Sequence, residues 1–280
     1  MQVTLWGTRG SLPSPGADMA GYGGNTSCVA VRGREGTVIV LDAGTGIRGM
    51  ATTIDASVRR VDVLLTHLHM DHIQGLGFFA PLYRSDVEVN IWGPASIRLS
   101  LRARLMRYLS PPLFPVSLRE LPCTVKLHEV PCGEVDIGEF RVASALVCHP
   151  GPTVGYRITD GSGKVLTYLP DHEPALGARP FPSLPREWTS GGALAEASDL
   201  LIHDSQYTAH EYADHIGWGH SSLRHVLDFG TLADAKHVVP FHHDPDHSDS
   251  ELDRLMAEAI DDAKPAYQVT PGREGMTFDL

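Results

Sequence analysis

Thr66-His67-Leu68-His69-Met70-Asp71-His72 decides how the rest of the chain is read. It follows the apolar run Val61–Leu65 and precedes Ile73-Gln74-Gly75-Leu76. Four side chains able to bind a metal, His67, His69, Asp71 and His72, fall within six residues. Imidazole and carboxylate are ligands that suit zinc and its neighbours. On extended backbone alternate side chains share a face, so His67 and His69 point the same way and can grip one ion. Asp71 and His72 follow where a strand must turn into a helix, and they can face a second ion beside the first. A polar turn that happens to carry several histidines is the plainer alternative. An H-x-H-x-D-H directly after a buried-type strand is rare by chance, and that favours the metal.

The stretch resembles the signature of the metallo-β-lactamase fold superfamily, whose members are mostly dinuclear metallohydrolases. The resemblance implies an α/β fold, a four-layer αβ/βα sandwich, with the remaining ligands late in the chain and far apart. It covers nearly the whole sequence, from Gly7 to His243. Gly7-Thr8-Arg9-Gly10-Ser11 and Gly23-Gly24-Asn25-Thr26-Ser27 look like the opening of the phosphodiesterase and tRNase Z-like branch. By that likeness the loop lies near the active site, where Asn25 or Ser27 could touch substrate. Glycines alone would suggest an ordinary hairpin connection.

The same likeness assigns roles further on. Asp42, at the end of the strand Thr37–Leu41 and before Gly44, would support the metal-binding loop, since ligating histidines need a carboxylate or carbonyl partner. His149, in Cys148-His149-Pro150-Gly151-Pro152-Thr153-Val154-Gly155-Tyr156-Arg157, would be the third histidine on the first ion. Asp171, after the strand Lys164–Leu169, would bridge the two ions; the family usually has Gly-Asp where this chain has Pro170-Asp171. Its neighbour His172 is expected to be exposed. Asp204, ending the strand-like Asp199–Tyr207, would orient a catalytic histidine, and His220 in Gly219-His220-Ser221 would be that general acid. His242 would be the last ligand, with His243 the alternate.

Composition bounds the rest. The 280 residues, with 23 Lys and Arg against 34 Asp and Glu, carry a net charge of −11. That disfavours a broad nucleic-acid footprint, which needs a basic surface. Small anionic substrates stay open, because bound cations would reverse the sign inside the pocket. Of the four cysteines, Cys28, Cys123, Cys132 and Cys148, none forms a C-x-x-C pair, and reduced thiols in the cytoplasm are expected. No apolar run is long enough to span a membrane, and the N-terminus reads as a first strand. One domain, residues 1–280, is expected, built of two αβ halves, roughly 1–135 and 136–280.

Helices are expected over Ser96–Leu109, from Ser221 to about Phe229 with Gly230 as its stop, and after the capping box Ser248–Glu251. Arg98, Arg102, Arg104 and Arg107 make the first of these basic: a solvated face, or an anion-attracting lid. The stretch Glu173–Glu196 reads as a surface excursion on the rim. Apolar loops such as Leu113-Phe114 suit a homodimer.

The resemblance then implies a mechanism. Two divalent ions, zinc by the ligand set with manganese or iron fitting it too, would be held by His67, His69 and His149 and by Asp71, His72 and His242, with Asp171 between. A water shared by two cations becomes hydroxide near neutrality. His220 and Asp204 supply the proton that an alkoxide leaving group needs, so a phosphodiesterase is the first reading. The tRNase Z group engages tRNA through a basic, glycine-rich arm that this sequence lacks. A cyclic nucleotide or short nucleotide or RNA diester is therefore expected, without a large nucleic-acid exosite. The alternatives are a carboxylic ester, thioester or lactam hydrolase on the same metals, and a non-catalytic metal-binding protein.

Overall fold

Runs of valine, isoleucine and leucine, bounded by glycine, proline and aspartate, make short strands because branched side chains pack well on a pleated surface. The computed structural model describes residues 1–130, 132–174, 176–177 and 185–280. Its strands are β1 (Gln2–Gly7), β2 (Cys28–Arg32), β3 (Val38–Leu41), β4 (Arg60–Leu64), β5 (Glu88–Pro94), β6 (Thr124–Val130) and β7 (Gly133–Ile137). They continue with β8 (Phe140–Leu146), β9 (Val154–Thr159), β10 (Val165–Leu169), β11 (Leu200–Asp204), β12 (His237–Phe241), β13 (Gln268–Val269) and β14 (Thr277–Asp279). Among the described residues they form two seven-stranded sheets, ordered β14-β1-β2-β3-β4-β5-β6 and β13-β12-β11-β10-β9-β8-β7. In each, one side is antiparallel, and the other, β3 to β6 or β10 to β13, is parallel. Strands covered on both faces read as continuous apolar runs. β3, β10 and β11 are buried at every residue.

The two sheets share one core, in which Leu41 and Leu64 of the first meet Tyr156, Tyr168, Ile202 and Phe241 of the second. Outside the first sheet, Ile47, Met50, Phe79, Leu101 and Leu105 form a second core. Outside the second, Leu194, Val226, Leu227 and Phe229 form a third. The layers therefore run helix, sheet, sheet, helix: the four-layer αβ/βα sandwich. The C-terminal β14 returns to the first sheet, placing Phe278 opposite Val3.

Some local expectations change. The helix expected over Ser96–Leu109 is reduced to Leu101–Leu105, capped by the Ser100 side chain on the Ala103 amide. Leu101, Leu105 and Leu109 reach the core, with Tyr108 packed against it, whereas Ile97 is fully exposed. The helix after His220 spans Leu223–Leu232, capped by Ser222. Ser221 is not the cap, because its hydroxyl donates to the His172 carbonyl. Gly230 does not stop that helix; it lies inside it, where a Cβ would come within 2.5 Å of the Tyr267 hydroxyl. The closing helix Asp249–Ala263 is capped by Ser248 as expected. The strand β7 was not foreseen. Part of the Glu173–Glu196 excursion, residues 175 and 178–184, lies outside the described residues, but Glu173 itself is buried. The four cysteines are free.

Candidate metal centre

β3, β4, β10, β11 and β12 are neighbours in the parallel parts of the two sheets, and each ends at a polar residue or segment of interest. In open α/β sheets, ligands bind beyond the carboxyl ends of such strands. Here those ends deliver Asp42, the stretch Thr66–His72, Asp171, Asp204 and His242 to one edge of the sandwich. After β4 the chain stays extended to His69, which precedes the short helix Met70–Ile73. That turn separates His67 and His69 from Asp71 and His72.

Among the described residues three groups result, two of them built on the expected ligands and a third of Asp204, His220 and His242. His67, His69, His149 and Asp171 bring candidate ligand atoms within 4.8 Å of one another, and so do Asp71, His72, Asp171 and His242. Asp171 belongs to both. Its Oδ1 lies 2.9 Å from His72 Nε2 and 3.2 Å from His242 Nε2. Its Oδ2 lies 3.5 Å from His67 Nε2 and 3.6 Å from His149 Nε2. Asp71 Oδ2 is 3.2 Å from both His72 Nε2 and His242 Nε2, and accepts the Ser11 amide at 2.9 Å. His69 completes the first cluster, with Nδ1 3.2 Å from His149 Nε2.

The donor set fits divalent cations. His67 Nε2, His72 Nε2 and Asp171 Oδ1 are buried with no hydrogen-bond partner, although the last two are only 2.9 Å apart. Buried polar atoms normally find partners, so a group of convergent orphans points to an ion. Burial pushes the imidazoles of His67, His69 and His149 below their usual range, which keeps them neutral, the form that binds metal. At His72 burial works the same way, but Asp171, Asp71 and Asp42 outweigh it and raise the group well above its usual value. The carboxylates thus call for positive charge at this spot, which a proton or a cation can supply.

The far side of several rings is held. His72 Nδ1 donates to Asp42 Oδ2 at 2.8 Å, and Asp42 also accepts the Thr66 amide and hydroxyl and the Tyr168 hydroxyl. His149 Nδ1 donates to the Gly219 carbonyl at 2.8 Å, and His242 Nδ1 to Gln206 Oε1 at 3.0 Å. Each bond fixes a tautomer and turns Nε2 inward. Beside the clusters, His220 Nδ1 lies 2.7 Å from Asp204 Oδ2. The His220 ring stacks on His242 at 5.0 Å and meets His149 edge-on at 5.1 Å. Burial disfavours the charged ring, but Asp204 overrides it, and Asp171 and Asp71 add to the effect, so the pKa is raised to about 9.

Other candidates lie elsewhere. Asn25 is given to Glu274, its amide nitrogens donating to both carboxylate oxygens. The Ser27 hydroxyl is buried without a partner among the described residues. His243 points away from the clusters and bonds the Gly272 carbonyl at 2.8 Å. His172, expected to be exposed, is fully buried. Its Nδ1 donates to His203, and its amide reaches Asp204 Oδ2 at 3.1 Å. Sequence reasoning missed Gln206, whose amide also donates to Asp204 Oδ1 at 3.0 Å. Its signal was a polar side chain two residues beyond a strand-terminal aspartate.

Residues 37–243 match the beta-lactamase superfamily domain. The ribonuclease Z of Crocosphaera subtropica is 25% identical, with 92% of each chain covered. Among solved structures, the short form of human tRNase Z superposes with a TM-score of 0.69 at 21% identity, covering 100% of this chain and 99% of that one. A diphosphatase from the PhnP family superposes with a TM-score of 0.69 at 17% identity, covering 100% and 96%. The chain belongs to the beta-lactamase superfamily. Among the described residues, no helix is long and apolar enough to cross a membrane.

Proposed function

We propose that the protein is a dinuclear phosphodiesterase acting on a cyclic nucleotide or a short nucleotide or RNA diester. The observation that carries this reading is the Asp171 carboxylate, with one oxygen facing His72 and His242 and the other facing His67 and His149. In this reading His67, His69 and His149 hold one ion, Asp71, His72 and His242 hold the other, and Asp171 spans both. Zinc suits these ligands, and manganese or iron fits them too. When bound, the cations supply an activated water near neutral pH and stabilise charge developing on the phosphate.

The chain's own residues do the rest. Asp42, Gln206 and Gly219 hold the outer nitrogens of His72, His242 and His149, so that their Nε2 lone pairs converge. Asp204 takes Nδ1 of His220 and leaves the Nε2 proton for the departing oxygen. Diester cleavage expels an alkoxide that needs such a donor, whereas ester, thioester and lactam hydrolysis rely on it less. Within this class, an RNA substrate is supported by similarity to ribonuclease Z across 92% of both chains. The net charge of −11 supports a short contact with such an RNA rather than an extended one. Phe114, expected on an apolar dimer loop, is instead buried in the core, but the exposed Leu113 beside it and Phe78 still suit a homodimer, which light scattering tests, and the cytoplasm is the proposed compartment.

Turnover of 2′,3′-cyclic nucleotides, dinucleotides and a tRNA precursor by the metal-loaded protein tests the substrate class. Hydrolysis of a thioester or lactam with no diester turnover would reject it.

A further inference from the structure

Glu173 opens the stretch that sequence reading assigned to the rim, yet it is only 1% exposed. Its carboxylate accepts from the Tyr212 hydroxyl at 2.7 Å and from the Gly219 amide at 2.9 Å. The Gly217 amide meets both oxygens, at 3.1 and 3.0 Å. These donors are neutral, so the acid is held by backbone and phenol. Among the described residues no cation pairs with it, and a buried carboxylate so placed is costly to keep unless its lone pairs are engaged.

What the carboxylate grips explains its retention. Gly217 and Gly219 have φ of 88° and 89°, a left-handed conformation that other residues rarely adopt. The Gly219 amide goes to Glu173, its carbonyl accepts His149 Nδ1, and its peptide leads directly into His220. The Glu173 amide also donates to the carbonyl of Cys148, the residue before His149, at 2.9 Å. Glu173 itself stands two residues beyond Asp171. One residue thus ties together the segments carrying Asp171, His149 and His220, its side chain holding the Gly217–Gly219 loop and its backbone the strand end before His149.

We propose that Glu173 is a positioning residue of the catalytic centre. It sets the Gly217–His220 loop, and through Gly219 it aims His149 at the metal and His220 at the leaving group. This rests on the reading of His149 as a ligand and His220 as the general acid. Glu173 touches neither metal nor substrate.

The test uses the full-length protein with Glu173→Ala and the milder Glu173→Gln, which keeps one acceptor oxygen. Titration calorimetry with zinc or manganese reads the metal sites, and rates on aryl and alkyl phosphodiesters read the dependence on leaving group. In Glu173→Ala one of the two metal-binding events is expected to weaken by about 10–100-fold, as on loss of an outer-shell partner. The rate loss should grow as the leaving group worsens, and Glu173→Gln should show the same pattern more weakly. A merely structural role would lower the melting temperature but leave the metal affinities and leaving-group slope of Glu173→Gln at wild-type values; that result overturns the proposal. His149→Ala and His220→Ala serve as controls. If His149→Ala keeps both metals, or His220→Ala keeps the wild-type slope, the site reading fails and the proposal with it. If the controls behave and the Glu173 variants do not, the proposal alone fails.

Discussion

At the scale of single residues, the site is a problem in charge placement. Asp171 and Asp71 bring two carboxylates among five imidazole rings, an arrangement that cations would resolve. Removing one ligand should therefore cost more than removing a supporting contact. Asp171→Ala is expected to abolish diester turnover and to leave at most one tightly bound ion, which elemental analysis reads. His220→Ala is expected to lower kcat by about 10²–10⁴-fold on diesters with poor leaving groups, the usual contribution of a positioned acid. The pH profile carries the sign. In the proposed role His220 would act when protonated, and in the metal-free protein its pKa is raised to about 9. Activity should fall as pH rises through the folded value, and two nearby cations pull that value down. The alkaline limb of kcat is thus expected at or below about pH 9 and should be missing from His220→Ala. An unchanged limb in that variant would assign it to another group.

At the scale of elements, the site depends on turns where no side chain fits. A Cβ on Gly219 would lie 2.3 Å from His149 Nδ1 and 2.4 Å from Pro150 Cδ, and the residue has positive φ besides. Gly219→Ala should displace the His149 ring, weaken metal binding and slow turnover, with the melting temperature also falling; calorimetry and rates check this together. The sequence made the strands and their polar ends legible, because apolar runs stop abruptly at Asp42, Thr66, Asp171, Asp204 and His242. It was poor at helix limits. Ser96–Leu109 has a helical spacing of apolar residues, but a spacing cannot say that Ile97 faces water. It also could not decide His172. A histidine beside a strand end looks like a surface residue until β11 brings His203 alongside it. Gln206 and Glu173 escaped for a related reason. Their partners, His242 and the Gly217–Gly219 loop, lie 36 and 44 or more residues away in sequence.

At the scale of the molecule, the halves are joined by the core between the sheets, by β14 on β1, and by an ion pair of 3.0 Å between the terminal ammonium and Asp160. We expect one cooperative unfolding transition, seen alike by far-UV signal and fluorescence; two separate transitions would split the domain. Leu41, fully buried in the shared core, is a suitable probe. Leu41→Ala is expected to cost about 2–5 kcal/mol in denaturant unfolding without broadening the transition. Because the candidate ligands come from both sheets, metal binding should also stabilise the whole. Ions at about 100 times their Kd would add roughly 2.7 kcal/mol per site, so chelation should lower the melting temperature reversibly.

The most direct measurement is the rate of bis(p-nitrophenyl) phosphate hydrolysis as the metal-free protein is titrated with zinc or manganese, with Asp171→Ala in parallel. Turnover that climbs until two equivalents are bound, and that is absent from Asp171→Ala at every loading, is the expected result. Full activity at one equivalent, or no diester hydrolysis at any loading, would contradict a dinuclear phosphodiesterase bridged by Asp171.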